Sequence, residues 1–489
     1  MSNELLIVQA IAIPLLGAVG IVLAGRQHPN LREAVTLITA VGLAGLVWSL
    51  VPEILAGGRP FIRLIEFIPG LAIEFRVEPL GMLFAALASL LWVVNSIYSI
   101  GYMRGNNEQN QTRFYAFFAV ALAATMGVAF AGNLLTLFIF YEILTLSTYP
   151  LVVHKGDART VASARVYLGV LLATSIGMFL PAIIWTYHLA GTVDFVPGGI
   201  LDGRVAGPVV GLLLALFVFG IGKAAVMPVH KWLPAAMVAP TPVSALLHAV
   251  AVVKAGVFTI IKVVVYIFGI EFVFTDGSSG WFFFVAAFTI IAASLVALQQ
   301  QNLKRLLAYS TISQLSYVVM AVAILKPLAE IGAAIHMVTH AFGKITLFFA
   351  AGAIYTVSKK TEINQLRGIG RKMPWTMTAF TIGALSMIGV PPTGSFISKW
   401  YILAGAIEAD NHVAIATVVV STALNAAYFL PIIYLVWFQK EETPPGMDHG
   451  EAPFAAVLAL TITAGLSLLF FFFHQPVVEL AAQLVREMP

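Results

Sequence analysis

Residues 207–234 read GPVVGLLLALFVFGIGKAAVMPVHKWLP, and this stretch decides how the rest of the chain is read. Its first half is an unbroken apolar run of the kind that crosses a bilayer. Its second half places Lys223, Pro228, His230 and Lys231 where a membrane helix ordinarily keeps oily side chains. An ionised group at the bilayer centre costs from about 2.5 kcal/mol to more than 10 kcal/mol, depending on the method, so such residues default to function. Two questions follow: how many segments cross, and which charges do they carry inside?

The composition answers the class question. Of 489 residues 60% are apolar and 10% charged, which is the mix of an integral membrane protein. With no cysteine, thiolate zinc sites, iron–sulfur clusters and disulfides are excluded, and a redox cofactor would belong to a partner. The formal charge of +4 forms no basic stripe, so nucleic acid is set aside. The first span carries Glu4 where a signal peptide would be basic, so it is expected to be retained.

A span needs about 20 apolar residues. Fourteen segments qualify: 4–24, 33–54, 79–102, 114–131, 134–153, 163–188, 207–230, 239–269, 281–299, 306–325, 329–356, 373–407, 412–437 and 453–473. Lysine and arginine accumulate in cytoplasmic loops. Sixteen of the 27 basic residues fall in loops after odd-numbered spans and six on the opposite side. That bias predicts both termini outside, in a prokaryotic plasma membrane. Residues 58–78, GRPFIRLIEFIPGLAIEFRVE, alternate polar and apolar around Pro69-Gly70 and predict a small extramembrane β-hairpin. The expected organisation is one all-α membrane domain over 1–489. It comprises N-terminal spans and hairpin (1–112), two inverted five-span repeats (113–269, spans 4–8; 281–438, spans 9–13) and a C-terminal span (439–489).

Five basic residues remain inside spans: Lys223, Lys254, Lys262, Lys344 and Lys399. Glu142, in LFIFYEILTLSTYP, is the one acid expected well inside, and His248, His336 and His340 join the set. If all were ionised the interior would hold +5 against −1, and desolvation and like charge both favour the neutral form of a lysine. Some of these lysines are therefore expected to exchange protons, with histidines filling the gaps. Pro228 near Lys223, and Pro391 and Pro392 near Lys399, predict interrupted helices, tolerated at membrane depth only where protein or water satisfies the freed backbone. Span 8 is long enough to predict a tilt or a break near Ala255-Gly256. Broken helices are thus expected at spans 7, 8 and 12.

Blander readings compete. Lys262 could snorkel to an interface; His340 and Lys344 share a face at i, i+4 and could be a structural pair; His230 and Lys231 suit a membrane edge or a point where protons enter. His336 and His340 lack the glutamate of a metalloprotease motif, and no metal or cofactor site is expected.

The stretches GKAAVMPVHKWLPAAMVAPTPVSALLHAVAVVKAGVF, LKRLLAYSTISQLSYV, HMVTHAFGKITLFFAAGAI and GVPPTGSFISKWY resemble the antiporter-like proton-pumping subunits of complex I, membrane-bound hydrogenases and Mrp-type multisubunit cation/proton antiporters. Within that superfamily the chain looks most like the D-type component of Mrp antiporters, on its length, its fourteen spans and the lysine at 399; Gln314 stands where complex I relatives often carry histidine. The resemblance implies that Glu142 pairs with Lys223. It implies that Lys254, with His248 nearby, bridges to His336, His340 and Lys344, and that Lys399 ends the relay. It further implies a non-enzymatic transporter subunit moving protons in exchange for Na⁺ or another monovalent cation, with other membrane subunits as partners. The alternative is a proton-pumping subunit of an NADH-quinone oxidoreductase or hydrogenase.

Overall fold

The computed structural model describes residues 3–440 and 449–486; the chain ends, and so the predicted sidedness of the termini, lie outside them. In hydrocarbon every backbone donor and acceptor must be satisfied within the segment, so an apolar chain crosses as helix. Twelve described helices, from Glu4–Ala24 to Phe454–Phe472, are long and apolar enough to do so. The two remaining predicted spans are the interrupted ones. Pro208–Gly220 ends at Ile221 and gives way to a single 3₁₀ turn, Gly222–Ala224, before Trp232–Ala235. Pro374–Ile388 ends at Gly389 and restarts as Gly394–Glu408. The first break lies nearer the lysine than Pro228 suggests, since Lys223 is within the turn itself.

The expected break at Ala255-Gly256 is corrected. Those residues lie inside a regular α-helix, Val252–Lys262, within the continuous helix Thr241–Phe268. Relief comes one turn earlier, where Leu247–Ala251 widens into a π-turn carrying His248. Gly256 has a packing reason instead. A Cβ there would lie 2.2 Å from Ala224 N and 2.3 Å from Lys223 C, so only glycine lets this helix press against the broken one.

Four helices make the buried centre: Pro79–Gly105, Thr241–Phe268, Leu303–Ala323 and Pro327–Ser358. The first two helices, Glu4–Ala24 and Pro29–Leu55, expose Leu16, Leu23 and Ile38 as a lipid-facing surface does. The hairpin forms as predicted, Phe61–Ile68 pairing antiparallel with Leu71–Arg76. Asn133 ties it to the helix Leu134–Val152: its amide donates to Ala72 O at 2.8 Å while its carbonyl accepts from Thr136 N. An additional amphipathic helix, Gln475–Arg486, lies beyond the last predicted span and packs on Pro327–Ser358 and Pro79–Gly105. Its short, mixed sequence falls below the length that marks a span.

Candidate functional site

The turn that replaces helix at Gly222–Ala224 turns Lys223 inward, and no part of it reaches solvent. Its Nζ donates to Tyr141 O at 2.8 Å and to Thr145 Oγ1 at 2.5 Å, and lies 3.1 Å from the Tyr141 ring centroid. Tyr141 returns the contact, its hydroxyl accepting from Lys223 N at 3.1 Å. All three acceptors are neutral. Glu142, the next residue along, makes no ion pair with Lys223 among the described residues. Both its carboxylate oxygens are shielded and accept no hydrogen bond. The implied pair is therefore open in this structure, with acid and base on adjoining helices.

Lys254 is equally buried and meets His340, Nζ to Nδ1 at 2.5 Å. One helical turn away His336 stacks on His340 with ring centroids 6.0 Å apart, and its Nδ1 lies 2.8 Å from Ser398 Oγ. The Tyr317 ring stacks against His336 at 5.5 Å, and lies 5.2 Å from Lys399 Nζ. Tyr317 thus stands between the histidine and the last lysine.

A second line runs from Lys344 to Lys399. Lys344 Nζ donates to Ser310 Oγ at 2.7 Å, and Ser310 shares a hydrogen with the Tyr428 hydroxyl at 2.9 Å. Tyr428 donates to Asn425 Oδ1, and Asn425 Nδ2 donates to Met387 O at 3.3 Å. Lys399 reaches the same carbonyl at 3.2 Å and Ile388 O at 2.8 Å, the acceptors that the helix ending at Ile388 leaves free. Gly389 makes room for it: its φ is +91° and a Cβ would lie 2.9 Å from Lys399 Cδ. Hydroxyls both donate and accept, so Lys344, Ser310 and Tyr428 can pass a proton along; an amide carbonyl only accepts, so direct transfer stops at Asn425.

Not every expected residue joins. His248 is buried against Trp232 and Tyr167, at 6.1 and 5.9 Å between ring centroids, with neither ring nitrogen hydrogen-bonded. His230 is half-buried beside Tyr309 and Lys231 is exposed. Pro228, Pro391 and Pro392 flank the breaks at exposed positions. Lys262 does not snorkel: it is buried in an ion pair with Glu78, over the Phe195 ring at 4.0 Å. Glu78 and Glu330, the latter fully buried with both carboxylate oxygens unpartnered, were not read as interior acids. Both stand at helix starts, where sequence places them at the membrane edge. Ser310, Tyr317, Ser398, Asn425 and Tyr428 carried no signal either, since hydroxyls and amides are common in membrane helices.

Past the Glu142 helix, His154 Nε2 lies 3.7 Å from Glu108 Oε2. Burial, aided by Arg113 and Lys155, pushes this imidazole down to about 4, so at neutral pH it is an uncharged packing group.

The model of the family described as "NADH:quinone oxidoreductase/Mrp antiporter, TM" matches residues 131–425, more than half of the chain. The chain is 32% identical over 437 residues to NADH-quinone oxidoreductase subunit N of Desulforudis audaxviator, covering 86% of this chain and 84% of that protein. It is 32% identical over 458 residues to the A/B component of a probable K⁺/H⁺ antiporter of Rhizobium meliloti, covering 88% of this chain but 43% of that one. Its fold superposes on a chain of the Mrp complex from Dietzia sp. DQ12-45-1b with a TM-score of 0.88, at 22% identity, over 100% of this chain and 98% of the other.

Proposed function

The chain belongs to the NADH:quinone oxidoreductase/Mrp antiporter membrane family, and from that premise we propose that it is the proton-translocating component, of the D type, in a multisubunit monovalent cation/proton antiporter. It works with other membrane subunits that complete the cation path. The observation that carries this reading is the line of buried groups from Lys254 through His340 and His336 to Tyr317 and Lys399, paralleled by the hydroxyl line from Lys344. The lysines, histidines and hydroxyls along these lines can each hold or pass a proton, and the ring contacts at His336 and Tyr317 place them next to one another. Lys223 and Glu142 form the coupling element. Swinging the carboxylate against the ammonium trades two neutral acceptors for one charge, so a proton on Lys223 and the position of Glu142 depend on one another. The two units 113–269 and 281–438 each contribute one broken helix with its lysine, as two related repeats would.

Everted membrane vesicles carrying the assembled complex test the proposal. Added Na⁺ or K⁺ should collapse a preformed proton gradient, and Lys399→Ala should stop it while the complex still assembles. Undiminished exchange in that variant sinks the relay. The likeness to a component of NADH-quinone oxidoreductase, which runs along most of both chains, favours a second reading, a pump driven by quinone reduction. Identifying the chains that copurify separates the two, because flavin and iron–sulfur proteins belong only to the second.

A further inference from the structure

One large cavity lies apart from the proposed relay. It is a crevice of about 930 Å³ on the face that carries the basic loops, between the two halves of the chain. Six cationic side chains line it: Lys155, Arg159, Lys231, Lys304, Arg305 and Lys360. Two acids line it as well, and both are engaged in capping. Asp157 Oδ1 accepts from Thr160 N at 2.7 Å, and Glu362 accepts from Asn302 Nδ2 at 3.0 Å while capping the turn Ile363–Leu366. Basic side chains outnumber acidic ones there by six to two.

The backbone adds to this field. Three helices begin at the rim, Ala158–Ala190, Thr241–Phe268 and Leu303–Ala323, each presenting the positive end of its dipole. Tyr102, Tyr309 and Tyr355 line the same walls, the residue type that settles at headgroup level. Lys304, whose Nζ donates to Ala239 O at 2.7 Å, ties the wall of one half to the other. A cavity of this size holds a small-molecule headgroup, and basic pockets between membrane helices on the cytoplasmic side suit anionic lipid headgroups.

We propose that this crevice seats the phosphate of an anionic phospholipid headgroup, drawn from the leaflet on the basic-loop side. Arg159 and Arg305, exposed at the mouth, clamp the phosphate, since a guanidinium fork matches its oxygens. The bound lipid then bridges the two halves beside the Thr241–Phe268 helix, whose start lines the crevice.

The test uses the purified complex in nanodiscs of phosphatidylethanolamine alone or doped with phosphatidylglycerol. The readouts are lipid retained in native mass spectrometry and the thermal midpoint. Wild type should retain phosphatidylglycerol selectively and melt higher with it. Arg159→Gln/Arg305→Gln should bind it about thirtyfold more weakly, at about fivefold per removed charge. Arg371→Gln/Lys440→Gln, on the same face but outside the crevice, should not. Equal retention of the two lipids by wild type overturns the proposal even where the arginine variant fails to assemble. So does equal loss in the control variant, which reduces the effect to general surface charge. If inorganic phosphate alone raises the midpoint through the same arginines as strongly as the lipid does, the lipid assignment falls and a soluble phosphate takes its place.

Discussion

Lys254 and Lys262 lie on one helix, eight residues apart, and are 0% and 1% exposed. Their surroundings differ in one respect. Lys262 faces a carboxylate, Glu78, inside a cage of the Phe195 and Tyr266 rings; Lys254 faces the ring of His340. An opposite charge in contact favours the ionised form of both partners, so the Lys262–Glu78 contact reads as a structural ion pair. At Lys254 no carboxylate stands opposite, so under the proposed relay this lysine is the one able to exchange its proton. Burial by itself does not distinguish the two lysines; the charge of the partner does.

The largest effect expected from this contrast is on folding. Lys262→Met should destabilise the protein by about 3–5 kcal/mol, the cost of leaving one member of a buried ion pair alone, and adding Glu78→Met should recover most of it. Thermal unfolding of the purified complex reads both. Lys254→Met should instead assemble normally and lose about a hundredfold in proton-coupled exchange, within the range that a positioned proton-transfer group contributes. If it unfolds the protein as Lys262→Met does, the contrast collapses. Between the two lysines, Gly256→Ala should cost about 1–3 kcal/mol through its clash with the Lys223 turn, seen as a lower midpoint. Tyr428→Phe removes the hydroxyl that joins Ser310 to Asn425 and should slow exchange about tenfold, at a stability cost of about 1–3 kcal/mol for its two buried hydrogen bonds. An unchanged rate would leave the histidine line as the only path.

How much of this was legible beforehand depended on how loudly each residue contradicts a membrane. The spans were legible because about 20 apolar residues in a row have few other fates, and the hairpin because its polar alternation is out of place between two such runs. Lys223 and Lys399 stood out for the same reason, with Pro228, Pro391 and Pro392 nearby. The position of the strain in span 8 was misread: length alone suggested Ala255-Gly256, whereas that glycine serves a close approach and the helix relaxes around His248. The partners were mostly invisible. Ser310, Tyr428 and Asn425 come from two helices more than a hundred residues apart in sequence, and nothing local marks which hydroxyl a lysine will find.

The amino-acid sequence by itself determined that this chain is a many-span membrane protein with an excess of lysines over acids inside, because desolvation makes a charge in the middle of an apolar run conspicuous. Only the tertiary structure decided which of those lysines faces a carboxylate and which a histidine ring. Such contacts are set by how separate helices pack, which no local pattern records.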